Sequence, residues 1–158
     1  MPLKNEYFLL RHGRSLANEA EIIVSSPDNG RDEQWTLAPA GEDQARAAGH
    51  QLAQALLQGA SGRPDRPVRV LSSPFSRTMR TAALAAEAAG LAQPGSEPLV
   101  QRLESELQAG SVVLLVSHGD TLSILQAAMS GADTRQHRRF AFETAELRQL
   151  RPAADAAD

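Results

Sequence analysis

Apolar residues gather along this chain in three short blocks, separated by longer stretches with helical spacing. The blocks run from Tyr7 to Leu10, from Val68 to Leu71 with Arg69 inside, and from Val112 to Val116. The first and third are continuous rather than alternating, as expected of strands covered on both faces. After the first block, Ala45, Ala48, Leu52 and Leu56 recur at the period of a helix, and Gly59 and the loop "SGRPDRP" end it. After the second, Phe75, Met79, Ala82 and Ala86 share one helical face, and Gly90 stands at a C-cap position. "EPLVQRLESELQAG" spaces Leu99, Leu103 and Leu107 as one amphipathic helix. After the third block, "DTLSILQAAMSG" reads as a helix with Asp120 as N-cap and a stop at Gly131. Finally "RFAFETAEL" reads as an apolar and polar alternation (Phe140, Phe142, Thr144), the pattern of an edge strand. Strands alternating with helices predict an α/β fold with a mostly parallel sheet. Residues 1–150 read as one domain and 151–158 as a flexible tail.

Composition narrows this little. At 158 residues the chain can bury roughly 70% of its unfolded surface, enough for one core. It has no cysteine, so disulfides and thiol chemistry are excluded. Its 16 Lys and Arg against 19 Asp and Glu give no basic excess, which argues against a nucleic-acid partner. No apolar run is long enough to cross a bilayer, and no membrane partner is expected. "MPLKNEYFLL" lacks the features of a signal peptide, so a cytoplasmic location is the expectation.

The chemistry lies at the ends of the three apolar blocks. They run into Arg11-His12-Gly13-Arg14-Ser15, into Ser72-Ser73-Pro74-Phe75-Ser76-Arg77, and into Ser117-His118-Gly119-Asp120-Thr121. In an open parallel sheet, ligands bind in the crevice at the carboxyl ends of the strands, so these segments are expected to converge. Guanidinium groups are planar, permanently charged forks that match phosphate oxygens. Helices starting just after the strand ends would aim N–H groups at the same point. Gly13 and Gly119 would allow backbone to approach a ligand closely. A neutral imidazole in such a hole can attack phosphorus and divide one hard step into two. Neighbouring cations favour that neutral form.

"LLRHGRSLAN", "LSSPFSRTMRTA" and "VLLVSHGD", with "LAPAGEDQARAAG" and "FETAELRQL", resemble the histidine phosphatase superfamily, in its phosphoglycerate mutase-like branch. The resemblance covers most of residues 6–150. It implies a three-layer α/β/α sandwich, mostly parallel with an antiparallel edge strand and the site at the strand C-termini. It implies phosphomonoester hydrolysis through a phosphohistidine on His12, with no cofactor and no metal. Arg11 and Arg77 would bind phosphate, His118 would be the second pocket histidine, and Asn18 would contact the phosphate. Arg14 stands where other members often carry Glu or Gln, and it and Gly119 are candidate substrate contacts. The partner would be a phosphorylated small molecule or a phosphoprotein; the oligomeric state is left open.

The chain departs from the family in one place. The Leu-Arg-Glu segment whose glutamate serves as general acid has no counterpart between the second and third blocks. Asp120, Glu97 and Glu104 are the candidate replacements. Asp120 is the best placed, because the related acid phosphatase branch uses an aspartate directly after its histidine; here Gly119 intervenes. A catalytically impaired phosphate-binding module is therefore the alternative. A metal site of His12, His118 and Asp120 is disfavoured, because Arg11 and Arg77 would repel a cation. Mutase activity is disfavoured too, since the insertions that enclose a diphosphate are missing. The short middle predicts marginal stability or self-association, which a cooperative high-temperature melt of a monomer would contradict. Ser72 and Ser73 are expected to cap the helix after Pro74. His50, His137 and the basic turn "RQHRRF" are expected at the surface, with phosphate steering as the second reading of the turn.

Overall fold

The computed structural model describes residues 3–58, 66–91, 95–96 and 106–150. Strands β1 (Glu6–Arg11), β2 (Val68–Ser72), β3 (Gly95–Ser96), β4 (Val112–Ser117) and β5 (Leu147–Gln149) form one sheet in the order β3-β2-β4-β1-β5. β2, β4 and β1 run parallel, with a two-residue parallel addition at β3. β5 is antiparallel to β1. The fold is thus the expected α/β sandwich with an antiparallel edge.

Two-sided burial explains the continuous apolar blocks. Phe8, Leu10, Val70, Val112, Leu114 and Val116 point to one face. There they meet Ala48 and Leu52 of α3 (Pro39–Gln58) and Ala82, Ala85 and Ala86 of α4 (Ser76–Ala88). Tyr7, Leu9, Leu71, Val113 and Leu115 point to the other face. They meet Leu122 of α5 (Gly119–Met129), with Phe142, Leu150 and the partly buried Leu107. The apolar residues of β1 and β4 are therefore covered whichever way they point, whereas Arg69 of β2 stays exposed. Burial of one such Leu or Val contributes about 1.5–3 kcal/mol. Two short helices, α1 (Leu16–Glu19) and α2 (Pro27–Arg31), fill the stretch before α3.

Several local expectations are corrected. Met79 is 38% exposed, and the buried face of α4 carries Thr78 and Thr81 with the alanines. α5 opens at Gly119 with His118 in the N-cap position and no side-chain cap, so Asp120 lies inside the helix. "RFAFETAEL" is not an extended strand. Thr134–Phe140 winds as a 3-10 segment, Ala145 takes a left-handed φ of 55°, and pairing begins only at Leu147. The bend lets Phe142 bury its ring and hand its carbonyl to Arg11. The Gly90 and Gly131 stops hold, with φ of 69° and 71°. The helix expected over Glu97–Gln108 and the tail 151–158 fall mostly or wholly outside the described residues.

Candidate active site

The register sets the site. Arg11 pairs with Ser117 and Ser72 with Val116, so β1, β4 and β2 end level with one another. Their following loops then meet in a cavity of about 500 Å³, lined among others by Arg11, His12, Asn18, Arg77, His118, Gly119 and Asp120. His12 continues the β1 pairing by donating its N–H to Ser117 O at 3.0 Å. The next residue, Gly13, packs on the first turn of α3. A Cβ there would lie 2.4 Å from Gly41 O, so its freedom is spent on protein packing rather than on a ligand. Gly119 does face the cavity. A Cβ there would press on the Arg11 guanidinium at 3.3–3.4 Å.

Hydrogen-bond partners assign the protons. His12 Nδ1 lies 2.8 Å from Gly13 O, and a carbonyl only accepts, so Nδ1 carries the hydrogen. Arg77 Nε, which only donates, lies 3.3 Å from His12 Nε2, so that nitrogen presents its lone pair. Arg77 Nη2 lies 3.4 Å from His118 Nδ1 and donates to Val24 O at 3.0 Å. His118 is then protonated on Nε2, which donates to Ser73 Oγ at 3.1 Å. Burial lowers the His12 pKa to about 3, against the Gly13 contact and aided by His118, Arg77 and Arg11. Burial, then Arg77 and Arg11, lower that of His118 to about 4. Both imidazoles are neutral near pH 7, and their rings meet edge-on at 5.4 Å. Phe75 closes the group, with His118 edge-on at 4.9 Å and the Arg77 guanidinium 4.9 Å from its ring centroid.

Two donors are left over. Arg77 Nη1 and Arg11 Nε are buried without a hydrogen-bond partner. No carboxylate pairs with either guanidinium among the described residues. Burying cationic N–H groups unpaired is costly, so the arrangement suits an anion that supplies the acceptors.

The other expected residues divide. Asn18 lines the cavity, but its Oδ1 accepts from Ser15 N and Ser15 Oγ in the capping box of α1, which leaves its NH2 end as the donor. Asp120 is exposed and is the one carboxylate on the lining among the described residues. Arg14 is not brought in: its exposed side chain pairs with Glu19 at 3.5 Å, away from the lining. Glu97 and Glu104 lie outside the described residues. Among the described residues no three His, Cys, Asp or Glu side chains gather as metal ligands. Ser72 and Ser73 were expected to cap α4; instead Phe75 is the N-cap residue, Ser72 Oγ donates to Ser73 O at 2.8 Å, and Ser73 holds His118. Val24 and Phe75 were not foreseen, and Arg138 only as part of the basic turn. Their contacts depend on tertiary placement, and only the basic run around Arg138 gave a signal.

The family model of the histidine phosphatase superfamily (branch 1) matches residues 7–98, which include His12 and Arg77. The chain belongs to that superfamily. Solved structures place the chain in the same fold over nine-tenths of its length. One, named mycobacterial hydrolase 1, superposes with a TM-score of 0.70 at 19% identity, covering 91% of this chain and 90% of that one. The mycobacterial glucosyl-3-phosphoglycerate phosphatase gives 0.68 at 19%, covering 91% and 88%. A mutant phosphoserine phosphatase from Entamoeba histolytica, solved in complex with phosphoserine, gives 0.65 at 14%, covering 92% and 89%. No curated protein sequence matches. At these identities the superfamily's solved members speak for the fold alone. In this chain the His12 and His118 loops follow the level C-terminal ends of β1 and β4.

Proposed function

We propose that the protein is a phosphomonoesterase that works through a phosphohistidine on His12 Nε2. Superfamily membership supports phosphatase chemistry in general. The observation that carries the finer reading is the pair of unpartnered buried donors, Arg11 Nε and Arg77 Nη1, beside a lone pair on His12.

A phosphoryl group entering the floor would take these donors on its oxygens, and Arg77 Nε would turn from His12 Nε2 to the same anion. Freed, Nε2 attacks phosphorus as the bond from phosphorus to the ester oxygen breaks. The proton stays on Nδ1, which donates to Gly13 O, and that carbonyl steadies the charge that forms on the ring. Arg77, Arg11 and His118 hold the equatorial oxygens, where charge spreads in the transition state. The ester oxygen needs a proton, and Asp120 is the group assigned to give it. Water then attacks the phosphohistidine, Asp120 takes its proton, and the P–N bond breaks to release phosphate. Asn18 and Gly119 complete the floor as ligand contacts.

The test is hydrolysis of an aryl phosphate across pH by the native chain and by His12→Ala, beside binding of inorganic phosphate. Turnover lost by more than about 10³-fold in the variant supports the proposal. No turnover by a folded native chain that still binds phosphate would leave the impaired phosphate-binding module as the better reading.

A further inference from the structure

The cavity volume of about 500 Å³ lies in the range that encloses a whole small-molecule ligand, and the floor uses only the phosphoryl end. Farther along the lining stands Arg138, exposed, in the 3-10 segment Thr134–Phe140. Its side chain makes no hydrogen bond or ion pair among the described residues, which is also true of the exposed Arg31, Arg69 and Arg139, but of these four only Arg138 lines the cavity.

An exposed arginine on a loop is ordinarily just solvated. This one sits on a backbone pinned from both sides. Its neighbour His137 holds Ser123 Oγ through Nδ1 at 3.0 Å, and buried Ser123 in turn donates to Asp120 O at 3.0 Å. On the other side, Arg148 donates to Phe140 O at 3.2 Å and Ala141 O at 3.0 Å, and its guanidinium stacks 3.9 Å over the Phe142 ring. Phe142 O then accepts from Arg11 Nη1 at 2.5 Å. Arg138 is therefore carried on the same wall that positions a phosphate-binding arginine.

The charges point the same way. Arg11 and Arg77 match a phosphoryl dianion. Asp120 is the group assigned to the ester oxygen. The charge of Arg138 is left for the rest of the substrate. Resting on the phosphatase reading above, we infer that Arg138 binds a carboxylate on the leaving group, so that the preferred substrates are phosphomonoesters with a second negative charge. A guanidinium fork fits a carboxylate through two parallel N–H donors.

The experiment is calorimetric binding of phosphonoacetate, 3-phosphonopropionate and 4-phosphonobutyrate, each against the alkylphosphonate of matched length, with methylphosphonate as the floor probe. None of these can be turned over by P–O cleavage. In the native chain at least one acid should bind about 5- to 10-fold more tightly than its match. Arg138→Gln should bring that ratio to about one and leave methylphosphonate affinity within about two-fold; Arg138→Lys should keep part of the preference. A preference absent from the native chain, or surviving in Arg138→Gln, overturns the inference and leaves the phosphatase reading intact. Failure of methylphosphonate to bind the folded protein removes the phosphate floor, and the inference with it.

Discussion

At the floor of the cavity, His12, Arg77 and His118 hold one another. One guanidinium touches both imidazoles and a loop carbonyl, and each imidazole has its second nitrogen committed to Gly13 or Ser73. At the rim, Asp120 and Arg138 stand exposed, and Ile23 is 93% exposed. The contrast separates two tasks. Floor groups fix one another's proton positions, so none changes without disturbing the rest. Rim groups are held only through their backbones, so each can be exchanged with little cost to the fold, and substrate choice can vary there.

The largest break in this contrast is Arg77→Ala. It strips a donor from the phosphate and a partner from both histidines, and kcat/KM for an aryl phosphate should fall by about 10³-fold. A loss under ten-fold would mean that the floor is not the phosphate site. Asp120→Asn comes next. Alkyl phosphates, whose leaving oxygen needs a proton, should lose about 10²-fold, and activated aryl phosphates much less. Equal losses on both would take the proton-donor role from Asp120. Ser73→Ala should lower kcat by about 3- to 10-fold, because the half-buried His118 Nε2–H loses its acceptor; Ser73→Thr should restore it.

A further outcome concerns pH. The unfolded chain protonates its histidines near pH 6.5, but the folded floor keeps His118 neutral to about 4 and His12 to about 3. Between those limits the unfolded state binds more protons, so stability rises with pH there and is lost as pH falls from 6.5. Urea titrations at pH 7, 5.5 and 4.5 should show the decline, and His12→Ala should flatten it. The smallest effect belongs to the rim: Ile23→Ser should change stability by less than about 0.5 kcal/mol, as read by the same titrations.

Much of this architecture can be read from the chain. Residues of β1 and β4 are apolar on both faces because helices cover both, and that pattern is visible without coordinates. The three strand ends announce the floor, because a level parallel register leaves them no other place to point. The rest depends on distance through space. "FETAELRQL" alternates like a strand, yet the ring of Phe142 and the demand of Arg11 for a carbonyl bend it away from the sheet. Ser73 has the look of a helix cap, and only the position of His118 turns it to another use. Arg14 has the spacing of a pocket residue but meets Glu19 first.

The place of β1 in the sheet bears on how the chain is made. This strand lies between β4 and β5, so both its edges wait for residues that leave the ribosome long after it. At about 5–20 residues per second, the partner at Val112–Ser117 emerges roughly 5–20 s after β1. For that interval Tyr7, Phe8, Leu9 and Leu10 are an apolar strand with nothing to pair with, the kind of segment that nascent-chain chaperones shield. The residue that follows them is the strand's own Arg11, and a charge at the end of such a run discourages pairing between neighbouring nascent chains. The arginine proposed to bind phosphate in the finished protein thus also stands where a gatekeeper charge is expected during synthesis.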